Sequence, residues 1–204
     1  MVITAVEPRR KSLSALFIDG EFAMKLDTAT LLENRISPGL EITDEQLHEL
    51  IFKSDLRRAK EKAMWLISYR DHTTAELLKK LKKDFSEEAS KAAVERMVEL
   101  HLMNDEDVAK RYASDLRSIK HLSPQSIKYK LIEKGIDKET AEVIVEELSI
   151  DPVEEITILI EKKYSKNLRD EKGIKRTFAA LQRCGYHYGD IKSALRPFLE
   201  DIYD

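Results

Sequence analysis

Three groups of side chains in this sequence could do chemistry: the histidines, the single cysteine and one acidic run. No histidine lies three or four residues from another, and none has a cysteine at the spacing of metal ligands. The sequence therefore predicts no metal site. The histidines are His48, His72, His101, His121 and His187.

The cysteine and the acidic run each have a structural explanation. Cys184 comes three residues before His187, but nearness in sequence does not make a nucleophile and its base. Its place at the end of an apolar stripe predicts a buried structural thiol. The run Asn104–Asp107 lacks the glycine and the distal glutamate of a calcium loop, and helix capping explains it better. With no phosphate-binding loop and no dinucleotide fingerprint, an enzyme is the least supported class of function.

Lysine and arginine form the strongest charge pattern, although the net charge is −3. Arg70–Lys83 has five cations against two acids, Lys120–Lys134 has four against one, and Lys162–Arg176 has seven against two. Asp137–Glu155 is the reverse, with eight acids and one lysine. If stacked in register, the basic segments would form a ridge that suits an acidic groove on a protein filament or a nucleic-acid backbone; the alternative is a set of solvated faces. The candidate partner-binding residues are Arg70, Lys79, Lys80, Lys82, Lys83, Lys120, Lys128, Lys130, Lys172, Lys175 and Arg176.

Aromatic side chains lie near several of these cations. Tyr112, Tyr129 and Tyr164 could stack on bases, or could pack at seams between helices with the hydroxyl group outward. Trp65 stands between two apolar residues and is predicted to lie in the core.

The elements that must position these residues begin with β-structure. Asp19-Gly20 supplies the positive φ angles of a two-residue hairpin turn. Phe22, Met24 and Leu26 share one face of their strand, so that face needs a covering helix. Thr43 and Gln46 have the spacing of a capping box and predict a helix start. The predicted strands are Val2–Val6, Leu13–Ile18 and Phe22–Leu26.

The rest of the chain repeats at an interval of 50 residues. Leu81, Leu131 and Leu181 recur at that spacing, and glycine follows the last two at Gly135 and Gly185. Fixed-period similarity predicts stacked repeats, here of three helices each, which bind extended partners. We expect a mainly α fold: an elongated, curved tandem array of three three-helix repeats with a small N-terminal β-hairpin or β-sheet extension. The predicted domains are residues 1–54 for the β-hairpin with a helical extension, then three-helix repeats over 55–103, 104–150 and 151–204.

Composition predicts where the protein acts. A single cysteine allows no internal disulfide and fits a reducing cytosol. The first residues do not resemble a signal peptide, and no apolar run is long enough to span a membrane. We therefore expect a cytoplasmic monomer with no membrane contact.

Three sets of residues form specific motifs: Leu66–Arg70 with Thr74–Leu77 and Leu81; Asn104–Ala109 with Tyr112; and Ile127 with Leu131 and Lys134–Ile136. These motifs resemble those of the RecX family, whose members regulate the RecA recombinase. The N-terminal segments Phe17–Ala23 and Gly39–Thr43 resemble the hairpin extension of many Gram-positive members. Leu122 stands where many members have glycine, which concerns only the turn at that point.

The resemblance implies a non-enzymatic regulator without a cofactor. RecX-like proteins bind in the groove of the RecA–DNA filament and inhibit ATP hydrolysis, strand exchange and co-protease activity. That implies a part in regulating DNA repair, recombination and the SOS response. The alternative is a protein that binds single- or double-stranded DNA alone, through the basic second helices of helix-turn-helix-like repeats. A helical scaffold for another protein is the third hypothesis.

Overall fold

The computed structural model describes the backbone of residues 1–203 and the side chains of residues 1–199. The last predicted residue of the third repeat, Asp204, lies outside this range. The described chain is mainly α-helical, with a three-stranded antiparallel sheet at its N-terminus. It divides into two compact units, which we call the N-terminal unit (Met1–Asn104) and the C-terminal unit (Asp105 onward).

The sheet of the N-terminal unit has the order β1-β2-β3. The predicted hairpin turn is confirmed, because Asp19 has φ 51° and Gly20 has φ 89°. The predicted common face of β3 is wrong for Phe22. The register shifts between Leu16 and Phe17, so Phe22 pairs with Phe17 and is 54% exposed, while Leu26 is buried. A β-bulge of this kind breaks the strict alternation of side chains. The strands are β1 (Ile3–Pro8), β2 (Leu13–Ile18) and β3 (Glu21–Asp27).

A long helix, α2 (Asp44–Tyr69), follows the short α1 (Thr28–Glu33). The predicted capping box is confirmed: the Thr43 N–H donates to Gln46 Oε1 at 3.0 Å, and the Gln46 N–H donates to Thr43 Oγ1 at 3.3 Å. The first half of α2 buries Leu50 with the sheet, and the second half buries Ala63 in a three-helix core. The predicted boundary after residue 54 falls inside this helix, and the domain boundaries remain predictions.

Two shorter helices complete the N-terminal unit: α3 (Thr74–Leu81) and α4 (Glu87–Glu99). Apolar side chains from α2, α3 and α4 form one core, in which Leu77, Leu81 and Met97 are almost fully buried. Since Leu77 and Leu81 face this core, the intervening Lys79 is exposed.

The C-terminal unit contains six α-helices, counted within the described residues, in two triplets that each surround one core. In chain order we call them the second and third triplets, and α2, α3 and α4 of the N-terminal unit are the first triplet. Gly135 (φ 89°) and Gly185 (φ 90°) follow the second helix of each triplet in the left-handed conformation, as predicted. A π-helical turn (Ile160–Tyr164) and a 3₁₀ turn (Ser165–Asn167) interrupt the last triplet. The helices are α5 (Asp105–Ser118), α6 (Pro124–Glu133), α7 (Lys138–Glu147), α8 (Pro152–Leu159), α9 (Glu171–Arg183) and α10 (Tyr188–Tyr203).

The turn between α9 and α10 packs against the start of α6. The N–H of Ser123, the N-cap of α6, donates to the Cys184 carbonyl oxygen at 2.9 Å. Gly185 approaches so closely that a Cβ atom there would lie 1.9 Å from Ser126 Oγ. Elsewhere on the same seam, Arg117 Nε donates to Glu155 Oε1 at 2.7 Å. These contacts fix the second and third triplets against each other within the C-terminal unit.

Candidate partner-binding surface

The first group of candidate residues lies on and around α3. A capping box starts this helix, since Thr73 Oγ1 accepts from the Glu76 N–H and Glu76 reaches back to the Thr73 N–H. Arg70 Nη1 lies 3.5 Å from Glu76 Oε2 and donates to the Asp71 carbonyl oxygen. The candidate Arg70 is therefore held at the base of α3 by a carboxylate of that helix.

The lysines of this group differ in their partners. Lys82 Nζ lies 2.9 Å from Glu87 Oε1, and hydrogen bonds from Lys91 and Lys82 lower the pKa of Glu87 to about 2. Lys79 and Lys83 are exposed and Lys80 is half-buried. Within the described residues, these three have no carboxylate at ion-pair distance.

The candidates around α6 are mostly neutralised. Lys128 forms an ion pair with Glu142 of α7, and Lys130 Nζ lies 2.6 Å from Glu133 Oε2. The hydrogen bond with Glu133 raises the pKa of Lys130. Lys120 is exposed, with no carboxylate at ion-pair distance in the part of the chain that the structure describes.

The candidates on α9 lie beside further cations that the sequence-based selection left out. Lys175 Nζ lies 2.5 Å from Glu171 Oε1, whereas Lys172 and Arg176 are exposed and have no carboxylate at ion-pair distance among the described residues. The π-helical and 3₁₀ turns before α9, and the short segment that joins them to α9, carry more exposed cations. The sequence shows these charges, but it does not show the break between α8 and α9 at which they are exposed. These additional residues are Lys162, Lys163, Lys166 and Arg169.

The three basic segments therefore have different electrostatic character, although their sequences are similar. Acidic neighbours neutralise five of the eleven candidates: Arg70, Lys82, Lys128, Lys130 and Lys175. Of the six candidates without a carboxylate partner, Lys79, Lys80 and Lys83 lie on or just after α3, Lys172 and Arg176 lie on α9, and Lys120 precedes α6. Partner binding by these residues remains a prediction.

Aromatic residues add an apolar feature that the sequence interpretation placed wrongly. Trp65, predicted to lie in the core, is 64% exposed. Ala59, Ala63 and Leu66 occupy the buried side of α2, and Trp65 falls outside that stripe. Its ring stacks on Tyr69 with centroids 6.4 Å apart and planes 13° apart. The helical phase of the buried alanines was the signal that could have shown this.

The predicted tyrosines have separate environments. Tyr112 is half-buried, with Lys134 Nζ 4.6 Å from its ring centroid. Tyr129 on α6 is 61% exposed. Tyr164 is half-buried, and Lys163 Nζ lies 5.7 Å from its ring centroid. Tyr129 is therefore the one of the three whose ring is mostly open to a partner.

The side chains considered for catalysis have structural surroundings. Cys184 is half-buried, and this burial raises the pKa of its thiol. His72 is buried, its Nδ1 lies 2.8 Å from the Arg70 carbonyl oxygen, and burial lowers its pKa. In the described chain, no group of three or more His, Cys, Asp or Glu residues is placed to hold a metal ion. None of the described helices combines the length and apolarity needed to cross a bilayer.

These observations define a class: proteins of tandem three-helix domains whose notable features lie on exposed helix faces. Two family profiles, each describing a three-helix domain, match segments of this chain. The profile described as "RecX, first three-helix domain" matches residues 59–97, and "RecX, second three-helix domain" matches residues 104–143.

Similar proteins cover nearly the whole chain. Regulatory protein RecX of Caldanaerobacter subterraneus subsp. tengcongensis is 34% identical over 198 residues, covering 96% of this chain and 98% of the relative. Regulatory protein RecX of Clostridioides difficile is 24% identical and covers 100% and 99%. A solved structure of regulatory protein RecX has the same fold, with a TM-score of 0.60 at 20% identity and 98% coverage of both chains. The chain belongs to the RecX family.

Proposed function

We propose that this protein binds the RecA–DNA filament and inhibits the RecA ATPase, strand exchange and co-protease activity. The observation that carries the proposal is the full-length similarity to proteins named regulatory protein RecX. In this proposal the protein is a cytoplasmic monomer without catalytic activity, and it regulates DNA repair, recombination and the SOS response through RecA.

The surface electrostatics support a distributed contact. Cations already held by carboxylates gain little from a second anion, because their charge is largely neutralised. Cations without such partners can each contribute a weak, screened attraction to an acidic groove. The candidates that meet this condition are Lys79, Lys80 and Lys83 in one unit and Lys120, Lys172 and Arg176 in the other. Several weak contacts on one chain bind more tightly than any one of them, provided that they engage together.

The test is a RecA ATPase assay on single-stranded DNA at two salt concentrations. We expect the wild type to inhibit, and inhibition to weaken with added salt. Reversing Lys79, Lys80 and Lys83 to glutamate should raise the concentration needed for half-inhibition by at least tenfold at low salt. The control variant reverses Arg10, Lys11 and Lys25 to glutamate, because these three cations of the same unit are exposed and their reversal makes the same charge change. A wild type that leaves the ATPase untouched refutes the proposed function.

A second candidate is a protein that binds DNA without RecA. The observation that favours it is the group of exposed cations before and along α9, of which Lys166, Arg169 and Arg176 have no carboxylate at ion-pair distance among the described residues. Such a group could neutralise several phosphates. Tight, salt-dependent binding to naked DNA at concentrations that inhibit RecA would favour this candidate, and little affinity for naked DNA would favour the filament regulator.

A further inference from the structure

Two aromatic side chains on α2 form an exposed stack that belongs to neither of the two cores of the N-terminal unit. Trp65 is 64% exposed and Tyr69 is 80% exposed. They lie one helical turn apart, with ring centroids separated by 6.4 Å and planes inclined by 13°. We call these two residues the aromatic pair. Met64, beside the pair in the chain, is 52% exposed.

Two ion pairs that link α2 to the region of α3 flank the aromatic pair along the chain. Lys62, three residues before the first ring, forms an ion pair with Asp84 beyond the end of α3. Arg70, next to the second ring, contacts Glu76 near the start of α3. Residues at spacings of three, four and seven share one face of a helix. The pair therefore lies between two bridges that connect α2 to the two ends of α3.

Besides the exposed Glu61, one turn before Trp65, the charged residues next to the aromatic pair on α2 are two bridged cations, and the basic border of the surface belongs to the neighbouring α3. The two cations next to the pair, Lys62 and Arg70, are held by carboxylates. The lysines without such partners, Lys79, Lys80 and Lys83, lie on and just after the neighbouring α3. Protein interfaces have this anatomy, with an apolar centre rich in Trp, Tyr, Met and Arg and a charged rim. A single-strand nucleic-acid site instead places available cations among the stacking rings.

We infer that the aromatic pair is the anchor of a protein-binding surface whose partner presents an apolar pocket bordered by carboxylates. The inference rests on the proposed function in taking a subunit of the RecA filament as that partner. Insertion of the rings removes apolar surface from water, which salt screens little, whereas the lysines of the border act through screened attraction. Affinity should therefore separate into a salt-resistant part from the pair and a salt-sensitive part from α3.

Trp65 gives a direct readout because it is the single tryptophan of the chain. Protein made with 5-hydroxytryptophan can be excited at wavelengths where the tryptophan of other proteins does not absorb. Quenching by acrylamide then measures the accessibility of position 65 alone. We expect quenching to fall several-fold when the RecA filament on single-stranded DNA is added, and to stay unchanged with that DNA alone.

Each other outcome has a distinct meaning. Unchanged quenching in a sample whose RecA ATPase is inhibited overturns the inference and leaves the proposed function standing. Protection by single-stranded DNA alone also overturns it, because the pair would then bind nucleic acid. An ATPase that the protein does not inhibit refutes the proposed function, and with it the partner named here.

Variants supply a second test that does not depend on the probe. Trp65→Ala and Tyr69→Ala remove exposed rings, so the cores should stay intact, as helix content will check. Each should raise the concentration for half-inhibition of the RecA ATPase about 30-fold, the usual consequence of truncating an interface anchor. The salt dependence that remains should match the wild type. Leu32→Ala, which truncates a 72% exposed apolar residue on α1, is the control. Equal effects of all three substitutions would overturn the inference.

Discussion

Replacing Gly185 by alanine should break the seam between the second and third triplets. An L-residue at its φ of 90° is strained by about 1–2 kcal/mol. The new Cβ would also lie 1.9 Å from Ser126 Oγ and 2.7 Å from Ser123 Oγ. Rotation of the Ser126 side chain relieves only the nearer contact, because Ser123 Oγ must stay in place to cap α6. Displacing the cap and the bond from Ser123 to Cys184 costs about 1 kcal/mol for each. We expect a total loss of about 3 kcal/mol.

Gly39 provides a matched control for this prediction. It has the same φ of 90°, but no atom lies within 4 Å of its ideal Cβ position. Gly39→Ala should therefore show the backbone strain alone. Hydrogen exchange with mass spectrometry suits the comparison, because it gives a local opening free energy for each unit. Amides of α6 should lose about 3 kcal/mol of protection in Gly185→Ala. If the two substitutions cost the same in their own surroundings, the close approach at Gly185 contributes nothing and the reasoning is refuted.

Two further predictions concern buried polar groups. Thr177 is 1% exposed and its Oγ1 has no hydrogen-bond partner among the described residues, so Thr177→Val should raise the free energy of unfolding by about 1 kcal/mol in denaturant titrations. The control is Thr157→Val, which removes a hydroxyl that donates to the Val153 carbonyl oxygen and should not stabilise the protein. Equal gains in the two variants would contradict the argument. Burial lowers the pKa of His72, so as the pH falls through the ordinary value of about 6.5 the unfolded chain takes up a proton that the folded chain resists, and stability falls. Titrations above and below that pH should show a smaller loss in His72→Gln than in the wild type; an unchanged loss would assign the pH dependence to other groups.

Local chemistry predicted much of the fold. The hairpin at Asp19-Gly20 needs two positive φ angles, and the capping box at Thr43 needs side chains three residues apart, so both follow from neighbouring residues. Gly135 and Gly185 are predictable for the same reason, since a helix end often takes a left-handed residue. The bulge that exposes Phe22 depends on pairing with β2, and no feature of β3 alone determines it.

The candidate surface was less predictable, because charge in a sequence is not charge available to a partner. Lys128 is neutralised by Glu142 from another helix, and only tertiary packing brings the two together. The prediction for Trp65 was wrong for a related reason. It relied on the apolar residues on either side in the sequence, but neighbours in a helix point in different directions, and the helical phase decides which of them is buried. The choice among Lys79, Lys82 and their neighbours also needed the structure, since their exposure is similar and their partners differ.

The continuous helix α2 contributes side chains to both cores of the N-terminal unit. A shortened protein that begins at residue 55 would start inside this rod, with its first backbone N–H groups uncapped and its sheet-facing residues removed. Because helix formation is cooperative, loosening of either core should propagate along α2 to the other. The sheet and the first triplet should then unfold together. A mechanical force applied to the sheet would be transmitted along α2 to the exposed rings of Trp65 and Tyr69 near its C-terminal end.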